Sequence, residues 1–229
     1  MVKAHETILI DGASARAAER RLAIGYASAA SRPALTALFA LDDILSGIRR
    51  TTRDPMVGQL RLTWWYEALV KLDSALPPAE PVLQALHADV LTRGVSGASL
   101  AAMVDGWEAL LDPAPGGAAI EQFLTDRGGR LFQIAGQLLG VDDQRLSSAG
   151  AGWALAELAR SLGDAAGRTM ARERGMVFLD LALAGRWPVQ GRPLGALALS
   201  ARFDLRETTP RSGSPKRVAR MALHRLTGY

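Results

Sequence analysis

The amino-acid sequence predicts an all-α protein, on three observations. Apolar residues recur at three- and four-residue spacing along almost the whole chain, which is the period of a helix with one buried face. β-Branched residues are few, and no run of strand length alternates apolar with polar positions. The breaks in the pattern fall at proline, glycine and aspartate, where helices start and stop.

Taken in order, the periodic segments predict helices over 14–30, 33–50, 55–72, 79–93, 97–111, 117–139, 143–170 and 173–184. Asp54-Pro55 places a capping carboxylate before a proline at the first helical position. Pro77-Pro78, Asp112-Pro113 and Pro115-Gly116-Gly117 read as loops. Asp142-Asp143, after Gly140 and before an apolar helix, reads as a cap. A poorer segment with Trp187-Pro188, Gly191, Pro193 and Gly195 precedes the last helix, 215–228, which Ser214-Pro215 opens. The expected division is one helical domain, 1–206, followed by a basic linker and C-terminal amphipathic helix, 207–229.

Composition narrows the function classes. A chain of 229 residues, 48% hydrophobic and 22% charged, has enough apolar material for one sizeable core. It contains no cysteine, which excludes disulfides and thiolate metal sites. His5, His87 and His224 are scattered, with no second ligand at metal spacing. No stretch of eighteen uninterrupted apolar residues is present, so no membrane-spanning helix is expected. The start, MVKAHETILIDGASARAAERR, carries acids and no continuous apolar stretch of signal-peptide length. The expected location is cytoplasmic, with peripheral contact at the inner face of a membrane through 215–228. A net charge of +4 and a pI of 9.9 permit anionic partners. Nucleic-acid binding needs a clustered basic face with base-reading side chains. Neither is evident, so no nucleic-acid partner is expected.

Three blocks carry a resemblance. RRLAIGYASAASRPALTALFALDDIL, DPMVGQLRLTWWYEAL and RGGRLFQIAGQLLG resemble successive blocks of the squalene/phytoene synthase family, and the Gly-Gln-x-Arg-Leu-x-Trp-Trp segment is the most specific. The likeness spans roughly 15–185. It implies a single-domain, class I isoprenoid-synthase-like helical bundle around a central cavity. It also implies head-to-head joining of prenyl diphosphates held by magnesium on two Asp-x-x-x-Asp motifs.

The chemistry of those motifs is demanding. Carboxylates at i and i+4 share one helix face and can reach one cation, and hard cations take oxygen ligands. Four residues beyond Asp42 and Asp43 stand Ser46 and Gly47. Counting without gaps from Leu38-Phe39-Ala40-Leu41, the family's metal positions fall on Ser46, Gly47 and Arg50. Counting back from Gly175-Met176-Val177-Phe178-Leu179-Asp180, they fall on Gly167 and Ala171. Asp164 lies three residues early, and its i+4 partner is Arg168, which cannot ligate a cation.

The candidate cavity or substrate-binding residues are therefore Asp42, Asp43, Gln59, Arg61, Trp65, Asp164 and Arg168. Asp42 and Asp43 are the weak metal candidates, and a solvated helix face is their alternative reading. Asp164 and Arg168 also read as a surface ion pair. On the 55–72 helix, the stripes Leu60/Trp64/Ala68 and Leu62/Trp65/Leu69 predict a helix largely buried, with Gln59 and Arg61 either in an internal network or facing a polar head group. Arg127-Gly128-Gly129-Arg130 lacks phosphate-loop spacing; its small residues suit close helix contact. The C-terminal helix fits an anionic membrane, a partner, or its own domain.

The resemblance extends to a branch whose aspartate motifs have decayed, which includes a mitochondrial complex I assembly factor. It implies a pseudoenzyme that helps a membrane enzyme assemble, or that binds an isoprenoid or lipid. No cofactor is then expected. The alternative is an active prenyltransferase of isoprenoid biosynthesis, which would need Mg²⁺.

Overall fold

A computed structural model of the chain describes residues 2–112, 115–206 and 211–229, with side chains from residue 12 onward. The side chain of His5 and residues 207–210 of the expected linker lie outside this range. Every regular element among the described residues is helical. They are α1 (Val2–Gly25), α2 (Arg32–Thr51), α3 (Pro55–Lys71), α4 (Pro81–Asp89), α5 (Gly97–Glu108), α6 (Gly117–Gln122), α7 (Arg130–Leu139), α8 (Arg145–Ser161), α9 (Ala165–Ala182), α10 (Arg192–Leu205) and α11 (Pro215–Thr227). A wide π turn, Phe123–Gly129, joins α6 to α7 without a break.

Local chemistry sets the ends. The Asp54 carboxylate accepts from the Met56 amide at 2.9 Å, and Pro55 opens α3. Glu80 and Ser96 cap α4 and α5 in the same way. Asp143 accepts from the Arg145 amide at 2.9 Å at the start of α8. These acceptors satisfy amides that have no partner inside the helix.

Three expectations are corrected. The helix expected over 143–170 is two helices: Leu162 is extended, and Asp164 starts α9 by accepting from the Gly167 amide at 2.6 Å. The poorer segment after 185 contains α10, one of the most buried helices of the molecule. Its Pro193 sits in the first turn, where a proline costs no hydrogen bond. Gly195 is there because a Cβ would strike the ring of His224. Third, α3 is not largely buried. Leu62, Trp65 and Leu69 face the core, while Met56, Val57, Leu60, Trp64, Tyr66 and Val70 are exposed.

The core runs between α2, α5, α7, α8 and α10, with Phe39, Trp107, Phe123, Phe132 and Trp187 fully enclosed. α11 lies along α10 with Arg217, Met221 and His224 buried. Arg217 fixes it by binding Glu19 of α1 and Asp204 of α10, each at 2.7 Å. Ser214 precedes Pro215, but its side chain makes no cap bond.

Candidate functional site

α2 turns Leu38, Leu41, Asp42, Leu45 and Ser46 toward the interior. A carboxylate at such a position must find a partner or lose its charge. Asp42, 1% exposed, finds Arg127, which is 0% exposed. Nε and Nη2 of Arg127 donate to the two Asp42 oxygens at 2.9 and 2.7 Å, a bidentate fork. The Trp107 indole donates to the same carboxylate at 3.2 Å. Nη2 of Arg127 also reaches Glu157 of α8 at 2.6 Å, and the other Glu157 oxygen accepts from the Ser46 hydroxyl at 3.3 Å.

The guanidinium lies between aromatic faces, 4.2 Å from the centre of Trp153, 4.7 Å from Trp107 and 5.2 Å from Phe123. Such cation–π contacts strengthen when water is excluded. Burial alone would lower the Arg127 pKa, but Asp42 and Glu157 more than offset it and hold it above the ordinary arginine range. Burial likewise works against the Glu157 anion, yet Arg127 and Arg160 hold its carboxyl below the usual glutamate value.

Arg127 reaches this place because the backbone delivers it there. The π turn widens the helix at this point, a feature often found at functional sites. Three glycines let the turn slot between α5 and α8. A Cβ on Gly106 would lie 2.7 Å from the Arg127 amide nitrogen, and one on Gly128 would lie 2.7 Å from the Gly150 carbonyl oxygen. A Cβ on Gly150 would fall onto the Gly128 carbonyl. Gly150→Ala should therefore destabilise by about 1–3 kcal/mol through overpacking, measured by urea titration. A loss below about 0.5 kcal/mol would show that α8 moves aside freely.

On the open side of this network is a cavity of about 560 Å³ between α1, α2, α8 and α10. Ser46, Trp153 and Glu157 form its floor, and Leu197 and Ala201 an apolar wall. Arg16, Arg20, Arg49, Arg50 and Arg160 reach it from α1, α2 and α8. Asp43 is at its edge, half exposed and bound by Arg20, with one bond of 2.8 Å.

The other candidate residues lie elsewhere. Gln59 donates to Glu108 at 3.1 Å and Arg61 to the Thr52 hydroxyl at 3.0 Å, both on the outer surface. Trp65 packs in the core, edge-on to Trp64. Asp164 is the α9 cap, and Arg168 binds the Leu162 and Gly163 carbonyls rather than Asp164. Of the seven, the cavity or its floor network includes Asp42 and Asp43. Sequence reasoning did not assign Glu157, Arg127 or the five arginines to a site: Arg50 entered only as a counted metal position that is not an acid, and Arg127 only as part of a segment suited to close helix contact. The one available signal was charge on apolar faces, as in FLTDRGG and WALAELAR.

The donor set does not suit a magnesium ion. Both Asp42 oxygens are taken by Arg127, both Glu157 oxygens are bonded, and Asp43 faces outward to Arg20. Among the described residues no group of three or more His, Asp or Glu is close enough to hold a metal. Of the positions counted as metal sites in the sequence, Ser46 and Arg50 do line the cavity, and neither is an acid. No helix among the described residues is long and apolar enough to cross a membrane.

No curated protein and no solved structure gives a significant match to the chain. The model of one family, squalene/phytoene synthase, matches residues 14–179. That match covers most of the chain, including all of α2 to α8 and the cavity floor, and the all-α bundle is the fold of that family. The chain belongs to the squalene/phytoene synthase family.

Proposed function

We propose that this protein is a family member without the magnesium-dependent condensation, which uses the inherited cavity to hold an isoprenoid or lipid and assists the assembly of a membrane enzyme, of the complex I type. The carrying observation is the Asp42–Arg127 fork. Where ionisation of a diphosphate calls for carboxylates free to bind Mg²⁺, the buried acid of α2 is neutralised by a buried arginine.

The outer face of α3 supports the helper role. Met56, Leu60 and Trp64 are 70%, 66% and 48% exposed along one side of the helix, and contiguous exposed apolar surface marks contact with a protein or membrane. The exposed side of α11 adds Lys216, Arg225 and Leu226.

The test is incubation with farnesyl or geranylgeranyl diphosphate and Mg²⁺, followed by extraction and mass analysis of the hydrocarbon. The expected result is no head-to-head product above a heat-killed control. Product that depends on Mg²⁺ would establish the active prenyltransferase instead.

A further inference from the structure

The cavity poor in metal ligands is rich in something else. Five guanidinium groups, from Arg16, Arg20, Arg49, Arg50 and Arg160, border it. The carboxylates on its wall are Asp43, Glu157 and Asp204, which leaves an excess of two positive charges (five minus three). Those acids are also committed: Asp43 to Arg20, Glu157 to Arg127, and Asp204 to Arg160 and Arg217. Arg127 and Arg217 stand behind the wall, each offset by a buried acid, Asp42 and Glu19, so the excess of two is left unchanged.

The arginines keep donors in reserve. Arg16 and Arg50 make no hydrogen bond or ion pair among the described residues. Arg49 donates its Nε to the Leu110 carbonyl at 3.0 Å and shows no bond from either Nη. Burial lowers the pKa of Arg49 and of Arg160, with neighbouring Arg16 adding to the effect at Arg160. An entering anion would relieve that crowding, whereas a free divalent cation would add to it.

We infer that this cavity binds a phosphate-bearing ligand directly through arginine, with no bridging metal ion. The inference rests on the reading above, that the metal-dependent chemistry has been lost. Phosphate fits better than carboxylate on two counts. The arginine fork matches its oxygens in pairs, and several donors converging from three helices need more acceptor oxygens than one carboxylate offers. The apolar wall of Leu197, Ala201 and Trp153 lies beside the charged end, so the ligand can carry a hydrocarbon chain.

The experiment is calorimetric titration of the full chain with inorganic pyrophosphate in EDTA, repeated with Mg²⁺. Saturable binding in EDTA is expected, no tighter with Mg²⁺. Arg50→Gln, at an exposed position, should weaken it about tenfold, the loss of one charge-assisted hydrogen bond. Arg160→Gln should weaken it by at least as much, and Arg174→Gln on α9, outside the cavity, should leave it unchanged. Asp43→Asn gives opposite signs for the two mechanisms: binding tightens about threefold if arginine holds the anion, and falls if a metal does.

Flotation with vesicles of phosphatidic acid in phosphatidylcholine identifies the source of the phosphate. Retention lost in Arg50→Gln indicates a lipid head group. Pyrophosphate binding without retention indicates a soluble ligand. Either supports the inference. No binding in EDTA, or binding that needs Mg²⁺ and is lost in Asp43→Asn, overturns it. The two failures are separable, because Mg²⁺-dependent binding without condensed product would sink this inference and leave the non-catalytic reading standing.

Discussion

Asp42→Ala should destabilise the protein by about 3–5 kcal/mol, because it leaves the Arg127 charge buried with half its partners gone. Arg127 is fully enclosed, and its Nη1 already has no hydrogen-bond partner among the described residues. Glu157 cannot replace the lost acid, since it reaches Nη2 alone. Asp43→Ala, one residue along the same helix, should cost less than about 1 kcal/mol, because its bridge to Arg20 is open to solvent. Urea denaturation of the two variants checks the contrast. Equal small losses would mean that Arg127 turns out to water, and that the buried fork does not hold the native state. The double variant Asp42→Leu, Arg127→Met separates charge from packing. Replacing both partners by apolar groups should recover most of the loss, and a coupling of several kcal/mol between the sites is the quantity to measure.

The contrast between those two aspartates shows what could be read from sequence. Helical period located α2 and placed both acids on it, and capping chemistry located the start of α3 at Asp54-Pro55. Period alone gave no neighbours, however. It marked Leu60 and Trp64 as residues that suit burial, but among the described residues both are exposed on the outer face of α3. It marked a charge on the apolar face of FLTDRGG, but not how Arg127 enters the interior. That needs a π turn, glycines at 106, 128 and 150, and partners 85 and 30 residues away in the chain. Asp164 reads from sequence as a candidate site residue or an ion-pair member inside one long helix, and the backbone break at Leu162 makes it a cap instead. α10 was obscured because Gly191, Pro193 and Gly195 resemble a loop; Pro193 opens the helix and Gly195 makes room for His224. What local chemistry controls was legible, and what depends on contacts across the fold was not. The cavity belongs to the second kind, since its arginines come from helices far apart in the chain.

Arg217→Ala is the second large expected effect, about 3 kcal/mol, at the lower end for breaking a buried ion pair. Arg217 is 2% exposed and binds Glu19, itself 2% exposed, and Asp204. Its Nη2 also donates to the Ser200 carbonyl at 3.1 Å and the Ser200 hydroxyl at 3.0 Å. Removing it strips two acids of their main counter-charge. The loss stays at the lower end because each acid keeps other partners. Glu19 retains the Ser200 hydroxyl and the Gly213 amide, both at 2.7 Å, and Asp204 retains Arg160. Lys216→Ala, at the neighbouring exposed position, should change stability by less than about 0.5 kcal/mol. The same clasp bears on the cavity, because Ser200 and Asp204 line it and α1 carries Arg16 and Arg20. Loosening α11 should therefore raise amide exchange in α1 and α10 together, as well as in α11. Exchange confined to α11, with stability nearly unchanged, would show that the C-terminal helix is a separable appendage and that α1 is held by its other contacts.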